Sequence, residues 1–206
     1  MPIHRTVPAL ALALALGACN SHRDRDAAAN PPAGAETGAV PADTAATTSA
    51  PAAPAELSDA NIVALLDHAN AADSTAGSLA ATKATNPQVK QFAKLMMSEH
   101  HALRKQGADL AKKLAVTPEP PANDPVTALA QQETQALQSA PKGAEFDKTY
   151  IDQEVTVHEA VLDLAGKAHD QAKNPELKAL IEKAKPVIEK HLDQAKQLQQ
   201  KLQGAA

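Results

Sequence analysis

Five side chains in this sequence have the types and the spacing to do chemistry together: Asp73, His100, Glu154, His158 and His191. Each falls on a helical stripe that is otherwise built mainly from Ala, Leu, Ile, Val and Met. An unpaired carboxylate or imidazolium in such a stripe costs several kcal/mol on burial. Two carboxylates and three imidazoles survive there only if they satisfy one another, hold water or ligate a cation. His and carboxylate are ordinary ligands for Fe, Zn, Cu or Mn, so the set predicts either one transition-metal ion in the core or a hydrogen-bonded polar layer with no metal.

Helices must position these groups. Ser58 is a good N-cap, and Ile62, Leu66, Ala69, Asp73, Ala76 and Ala80 follow at steps of four and three, which draws one face of a helix ending near Thr85. Asn86-Pro87 breaks the chain and starts a second helix, whose stripe is Val89, Ala93, Met96, His100, Leu103, Gly107, Leu110 and Leu114. Pro118, Pro120 and Pro121 stop it, and a shorter helical piece from Pro125 to Gln138 follows before Pro141 and Gly143. A third long helix, from Ala144 to Lys173, carries Ile151, Glu154, His158, Val161, Ala165 and Ala168. Asn174-Pro175 repeats the break. The fourth carries Leu177, Ile181, Ala184, Ile188, His191, Ala195, Leu198 and Leu202, and Pro186 inside it predicts a kink.

Two hairpins joined by a long, partly helical connection predict an all-α, ferritin-like four-helix bundle with one long crossover over residues 57–203. The first hairpin turns between Thr85 and Asn86, which sets Asp73 within one helical turn of His100. The second turns between Ala172 and Lys173, which sets Glu154 level with His191 and His158 one turn away, roughly 6 Å along the axis. The Glu-x-x-His pairs of di-iron carboxylate proteins are absent from these places, since Glu154 and His158 are four apart and Glu99 adjoins His100. That argues against an iron-storage cage or a di-iron oxidase. His101 points about 100° away from His100; His68 and His169 also read as surface, and of Met96 and Met97 only Met96 lies on the stripe.

Ahead of the bundle the chain carries an address. His4 and Arg5 precede an apolar run from Val7 to Leu16 that is too short to span a bilayer, which predicts a secretory signal peptide over residues 1–18. Leu16-Gly17-Ala18-Cys19 resembles the bacterial lipobox, and the resemblance implies that Cys19 is lipidated and becomes the first residue of the mature chain. The resemblance to lipoproteins of double-membraned bacteria, in which Asp at this place would favour the inner membrane, implies from Asn20 the outer membrane, facing the periplasm. Residues 19–56 then form a lipid anchor and a disordered tether rich in Ala, Pro and Thr. Cys19 is the only cysteine, so no disulfide forms within the chain and packing must stabilise it.

Composition excludes other classes of partner. With 20 Lys plus Arg against 24 Asp plus Glu the net charge is −4, and one Tyr, two Phe and no Trp leave no stacking platform for bases, so nucleic acid is not expected. No Gly-rich phosphate loop, nucleophile elbow, HExxH or Cys-x-x-Cys motif appears, and the common enzyme templates find no match.

Three phrases carry a further resemblance: the one ending Ser98-Glu99-His100, the run from Phe146-Asp147 through Tyr150 to His158, and Pro186 to His191. With the Leu79-Ala80 and Lys83-Ala84 ending of the first helix, they are similar to the uncharacterised bacterial envelope family known as domain of unknown function 4142, over about residues 57–202. The resemblance implies a ferritin-like fold and an envelope location without an established activity. That family typically has Glu at the position of Asp73. Three readings follow. The first is a lipid-anchored periplasmic module, for envelope stress or metal handling, whose core holds one transition-metal ion. The second is a structural module contacting another envelope protein or a second copy of itself, and the third is a metal-dependent redox enzyme. In each, the membrane is reached through the N-terminal lipid.

Overall fold

The computed structural model describes residues 56–204. They fold into five helices with no strand among the described residues: α1 (Asp59–Lys83), α2 (Pro87–Lys113), α3 (Pro125–Ser139), α4 (Ala144–Gln171) and α5 (Pro175–Gln203). The expected signal peptide, Cys19 and the tether through residue 55 lie outside the described residues.

Three helices begin with one device. Asn86, Asp124 and Asn174 sit just ahead of a proline, and each side chain accepts hydrogen bonds from two amides of the turn that follows. Proline costs nothing there because the amide it lacks would have no helical partner. At α1 the cap is reciprocal: Asn61 N donates to Ser58 Oγ at 3.1 Å, and Ser58 N donates to Asn61 Oδ1 at 3.0 Å. Gly143 opens α4 at φ 129°, where an L side chain is strained, and no side chain caps that helix. α5 runs on through Pro186 as one helix, although Pro186 has no amide to donate to the preceding turn.

Two aspartates tie the hairpins to each other. Asp59, at the start of α1, accepts from Lys173 N at 2.8 Å and Asn174 N at 3.1 Å in the α4–α5 turn. Asp147, at the start of α4, accepts from Thr85 N and Asn86 N, both at 2.8 Å, and from Thr85 Oγ1 at 2.7 Å in the α1–α2 turn. Asp59 and Asp147, Asn86 and Asn174, and Pro87 and Pro175 are each 88 positions apart, so both hairpins follow one plan.

These bonds also fix direction. α1 starts where α4 ends, and α2 starts where α4 starts, so α2 and α4 run parallel. A chain leaving α2 must therefore travel the length of the bundle to enter α4. The 15 residues of α3 rise about 22 Å on that journey, packed against α1 and α4. The result is the ferritin-like bundle with one long crossover. α1 packs on α2 and α4 on α5, and the α1–α4 and α2–α5 contacts close the bundle.

Apolar layers fill both ends. At one end stand the chain's two Phe and its Tyr, with Phe92 and Phe146 placed 6.2 and 6.5 Å from the Tyr150 ring. At the other end are Ile62, Val63, Leu177 and Ile181. Gly77 lets α1 and α2 approach closely: a Cβ there would stand 2.7 Å from Ala93 O and 3.1 Å from Met97 N, both backbone atoms. Gly107, farther along α2, faces open space with nothing within 4 Å of an added Cβ. The two glycines should therefore respond oppositely to Ala. Gly77→Ala is expected to lower stability by about 1–3 kcal/mol as the hairpin is pried apart. Gly107→Ala is expected to raise it by about 0.5–1 kcal/mol, because the unfolded chain loses freedom at no steric cost. Denaturant melts of the two variants check the opposite signs.

Candidate metal centre

The bundle brings the five predicted residues into one layer. Asp73 comes from α1, His100 from α2, Glu154 and His158 from α4 and His191 from α5, and none is more than 2% exposed. The three imidazole rings form a triangle with centroids 5.1 to 5.5 Å apart. Asp73 Oδ2 lies 3.5 Å from His100 Nδ1, as the first hairpin's register implies. The second hairpin departs from expectation, because it is His158, not Glu154, that meets His191. The cause is side-chain lean: on a helix each side chain tilts toward its own N-terminus. α4 and α5 are antiparallel, so His158 leans away from their shared turn while His191 leans toward it, and the one-turn gap closes. Glu154 leans farther away and groups with Asp73 and His158, whose ligand atoms all lie within 4.8 Å of one another.

Each ring is anchored from its outer side. Asn70 Nδ2 donates to Leu66 O at 2.6 Å, which turns Asn70 Oδ1 toward His100 Nδ1 at 3.0 Å. His158 Nδ1 donates to the Glu154 backbone carbonyl at 2.9 Å. His191 Nε2 donates to Glu99 Oε2 at 2.6 Å. All three partners are oxygens that can only accept here, which assigns the ring proton to these nitrogens. The opposite nitrogens, His100 Nε2, His158 Nε2 and His191 Nδ1, are buried without a hydrogen-bond partner in the protein. One ring nitrogen from each of the three lies within 4.8 Å of the others. Burial holds His100 and His158 down to about 4, and holds His191 below the usual imidazole range even though Glu99 pulls the other way. The rings are neutral near pH 7, the form that ligates metals.

Beside the imidazoles stands a group of carboxyls. Glu133, on the crossover helix α3, is 1% exposed and lies near enough to Asp73 and Glu154 for their charges to act on one another. Sequence reasoning missed it by treating α3 as a connector, yet the buried face of that helix reads Val126, Glu133, Leu137, the same signal of a charge on an apolar stripe. Burial pushes Asp73 up to about 6. Glu133 is pushed up to about 8 by burial and by the charge of Asp73, and Glu154 rises well above the carboxylate range for the same reasons, with Glu133 adding to the effect. No Lys or Arg is buried among the described residues to offset them. Three neutral imidazole lone pairs with carboxylates at hand to balance charge make a donor set that fits a transition-metal ion.

The remaining candidates stay outside this layer. His68 bonds to Asp124 at 2.7 Å and His169 to Glu182 at 3.0 Å, both part-exposed, and His101 is exposed. Met96 is fully buried and Met97 is 39% exposed.

The carboxyls and imidazoles give metal-free stability a definite pH dependence. Glu133 binds its proton more tightly folded, at about 8, than at its ordinary 4.5, so its contribution is complete below 4.5 and is lost as pH rises through 8. The imidazoles, lowered from 6.5 to about 4, lose stability only as pH falls below 6.5. Between pH 6.5 and 8 the carboxyls alone act. Stability should fall over that interval, and Glu133→Gln should lessen the fall by roughly 1–2 kcal/mol. Thermal melts in chelator at the two pH values measure it.

Comparison with known proteins bears on the fold and the family. A solved structure described as "CopM in the Cu(II)-bound form" has the same fold, with 18% sequence identity, a TM-score of 0.59, and coverage of 71% of this chain and 99% of that one. At that identity the likeness is one of fold alone. No curated protein matches the sequence. The family model described as "Domain of unknown function (DUF4142)" matches residues 44–198, which takes in α1 to α4, α5 as far as Leu198 and every residue of the polar layer, and the chain belongs to that family.

Proposed function

We propose that this protein is a lipid-anchored periplasmic module that binds one transition-metal ion in its helical core and serves metal handling or envelope stress. His100, His158 and His191 are its ligands, and Asp73 and Glu154 stand by to balance the ion's charge. One observation carries the reading: three buried rings from three helices are each anchored outward by an oxygen, and each keeps an inner nitrogen with no partner in the protein. Outer-side anchoring of this kind is how proteins hold metal-ligating imidazoles in one tautomer.

Copper is the first ion to test, because the similar fold of CopM is described with Cu(II) bound; Zn(II) suits the same donors. Burial of all five side chains at 2% exposure or less favours holding an ion over presenting it to a substrate. The second reading, a hydrogen-bonded polar layer that only fixes bundle register, draws less support, since one nitrogen of each ring is buried with no hydrogen bond to that layer. The periplasmic address and the lipid on Cys19 rest on the signal peptide and lipobox pattern of the sequence.

The chain purified without a histidine tag should take up one Cu(II) or Zn(II) per molecule by elemental analysis and titration. At a hundredfold excess over Kd the ion should add about 2.7 kcal/mol, raising the melting temperature by about 5–10 °C. His100→Ala with His191→Ala should abolish uptake. His100→Gln, which keeps most of the ring's volume, should weaken it in a protein that still folds. No stoichiometric metal, with melting unmoved by metal or chelator, overturns the reading in favour of the polar layer. Separately, Cys19→Ala should shift the protein from the membrane fraction to the soluble periplasmic fraction, and a wild-type chain already found there would refute the anchor.

A further inference from the structure

At the α2–α5 seam one carboxylate reaches the cluster from outside. Glu99 Oε2 accepts from His191 Nε2 at 2.6 Å, and its other oxygen faces Lys190 Nζ at 3.7 Å. The Glu99 side chain is 31% exposed, whereas that of His191 is wholly buried. The other two rings donate to neutral oxygens, the Asn70 side-chain amide and the Glu154 backbone carbonyl. Carboxyl oxygens also stand near those two ring nitrogens, Asp73 Oδ2 at 3.5 Å from His100 Nδ1 and Glu154 Oε2 at 3.3 Å from His158 Nδ1, but only His191 has a carboxylate as its hydrogen-bond acceptor, at 2.6 Å.

A carboxylate acceptor does two things to an imidazole. It pins the proton to the nitrogen that faces it, and it raises the electron density of the opposite nitrogen, which makes that atom a stronger ligand. For His191 the opposite atom is Nδ1, buried and without a partner in the protein. Lys190, the neighbour of His191 on α5, holds the second carboxylate oxygen and so steadies Glu99 at the surface.

We propose that Glu99 is a positioning residue for the metal centre: it fixes His191 in the Nε2-protonated tautomer and makes His191 Nδ1 the strongest of the three imidazole donors. The affinity consequence rests on the metal reading above; the tautomer consequence does not. A carboxylate that tied α2 to α5 only through Lys190, without accepting from the ring, would leave the His191 proton free to sit on either nitrogen.

Ring-nitrogen NMR shifts of His191 in the full, metal-free chain make the decisive measurement. Wild type should show the Nε2-protonated form alone. Glu99→Ala should show both tautomers, and Glu99→Gln, which keeps an acceptor oxygen, should restore the wild-type form. In Zn(II) competition titrations Glu99→Ala should bind about 10–100-fold more weakly, with Glu99→Gln between the two and the stoichiometry unchanged. A His191 tautomer or a Zn(II) affinity in Glu99→Ala that matches wild type overturns the proposal. A wild-type chain that takes up no metal defeats the metal reading, and the tautomer measurement then decides this inference by itself.

Discussion

The structure is governed by a desolvation constraint: seven Asp, Glu and His side chains lie buried in a bundle that buries no Lys or Arg among its described residues. Charge in such a setting must be neutralised by proton, partner or ion. Asp147 solves the problem with three donors from the neighbouring turn. The other six lie in the central layer, and their shifted proton affinities are the direct expression of the constraint: carboxyls retain protons and imidazoles shed them. A layer relieved of most of its charge in this way is tolerated by the core, yet it keeps a concentration of unspent lone pairs that an apolar core would lack.

A site divided among helices of two hairpins demands that the hairpins not slide. One residue of slip moves a side chain 1.5 Å along the axis and 100° around it, which would scatter the rings. The Asp59 and Asp147 contacts oppose that slip, because each ties the first turn of one hairpin to the backbone of the other hairpin's turn, at opposite ends of the bundle. Gly77 sets the remaining dimension, the spacing of α1 and α2, through backbone contact instead of side-chain packing. Ala is the commonest buried residue among those described, which keeps the helices close without demanding precise interlocking of large side chains.

Stripe periodicity was enough to find five of the six residues in the central layer, since a charged residue in a four-three apolar repeat has nowhere to go but inward. Helix starts were equally plain, because Asn-Pro and Ser58 act locally. What stayed hidden depended on tertiary contact. Glu133 lay in a helix short enough to read as a connector. Glu99 and Asn70 sit beside the stripes, not on them, and only the folded seam shows that they hold His191 and His100. Asp59 and Asp147 look from sequence like acids placed to favour a helix dipole, and their longer-range partners belong to the other hairpin. The pairing of His158 with His191 required the direction of side-chain lean, which residue counting along the axis omits.

The 88-residue offset between the hairpins separates what the fold needs from what the site needs. Carried across that offset, the latching aspartates and the Asn-Pro breaks coincide, while the central layer does not: His158 corresponds to Asn70, His100 to Ile188, and His191 to Leu103. The duplicated features are the ones that start helices and fix register, tasks that each hairpin must perform for itself. The layer is one-sided, and even its nearest correspondence divides the labour, with His158 offering a lone pair and Asn70 orienting the ring of His100. Bundles whose two halves each contribute a carboxylate–histidine pair are suited to two ions related by the internal symmetry. Here a symmetric frame encloses a cluster of three imidazoles off the symmetry, flanked by carboxyls on one side, so the donor groups are not duplicated as the frame is.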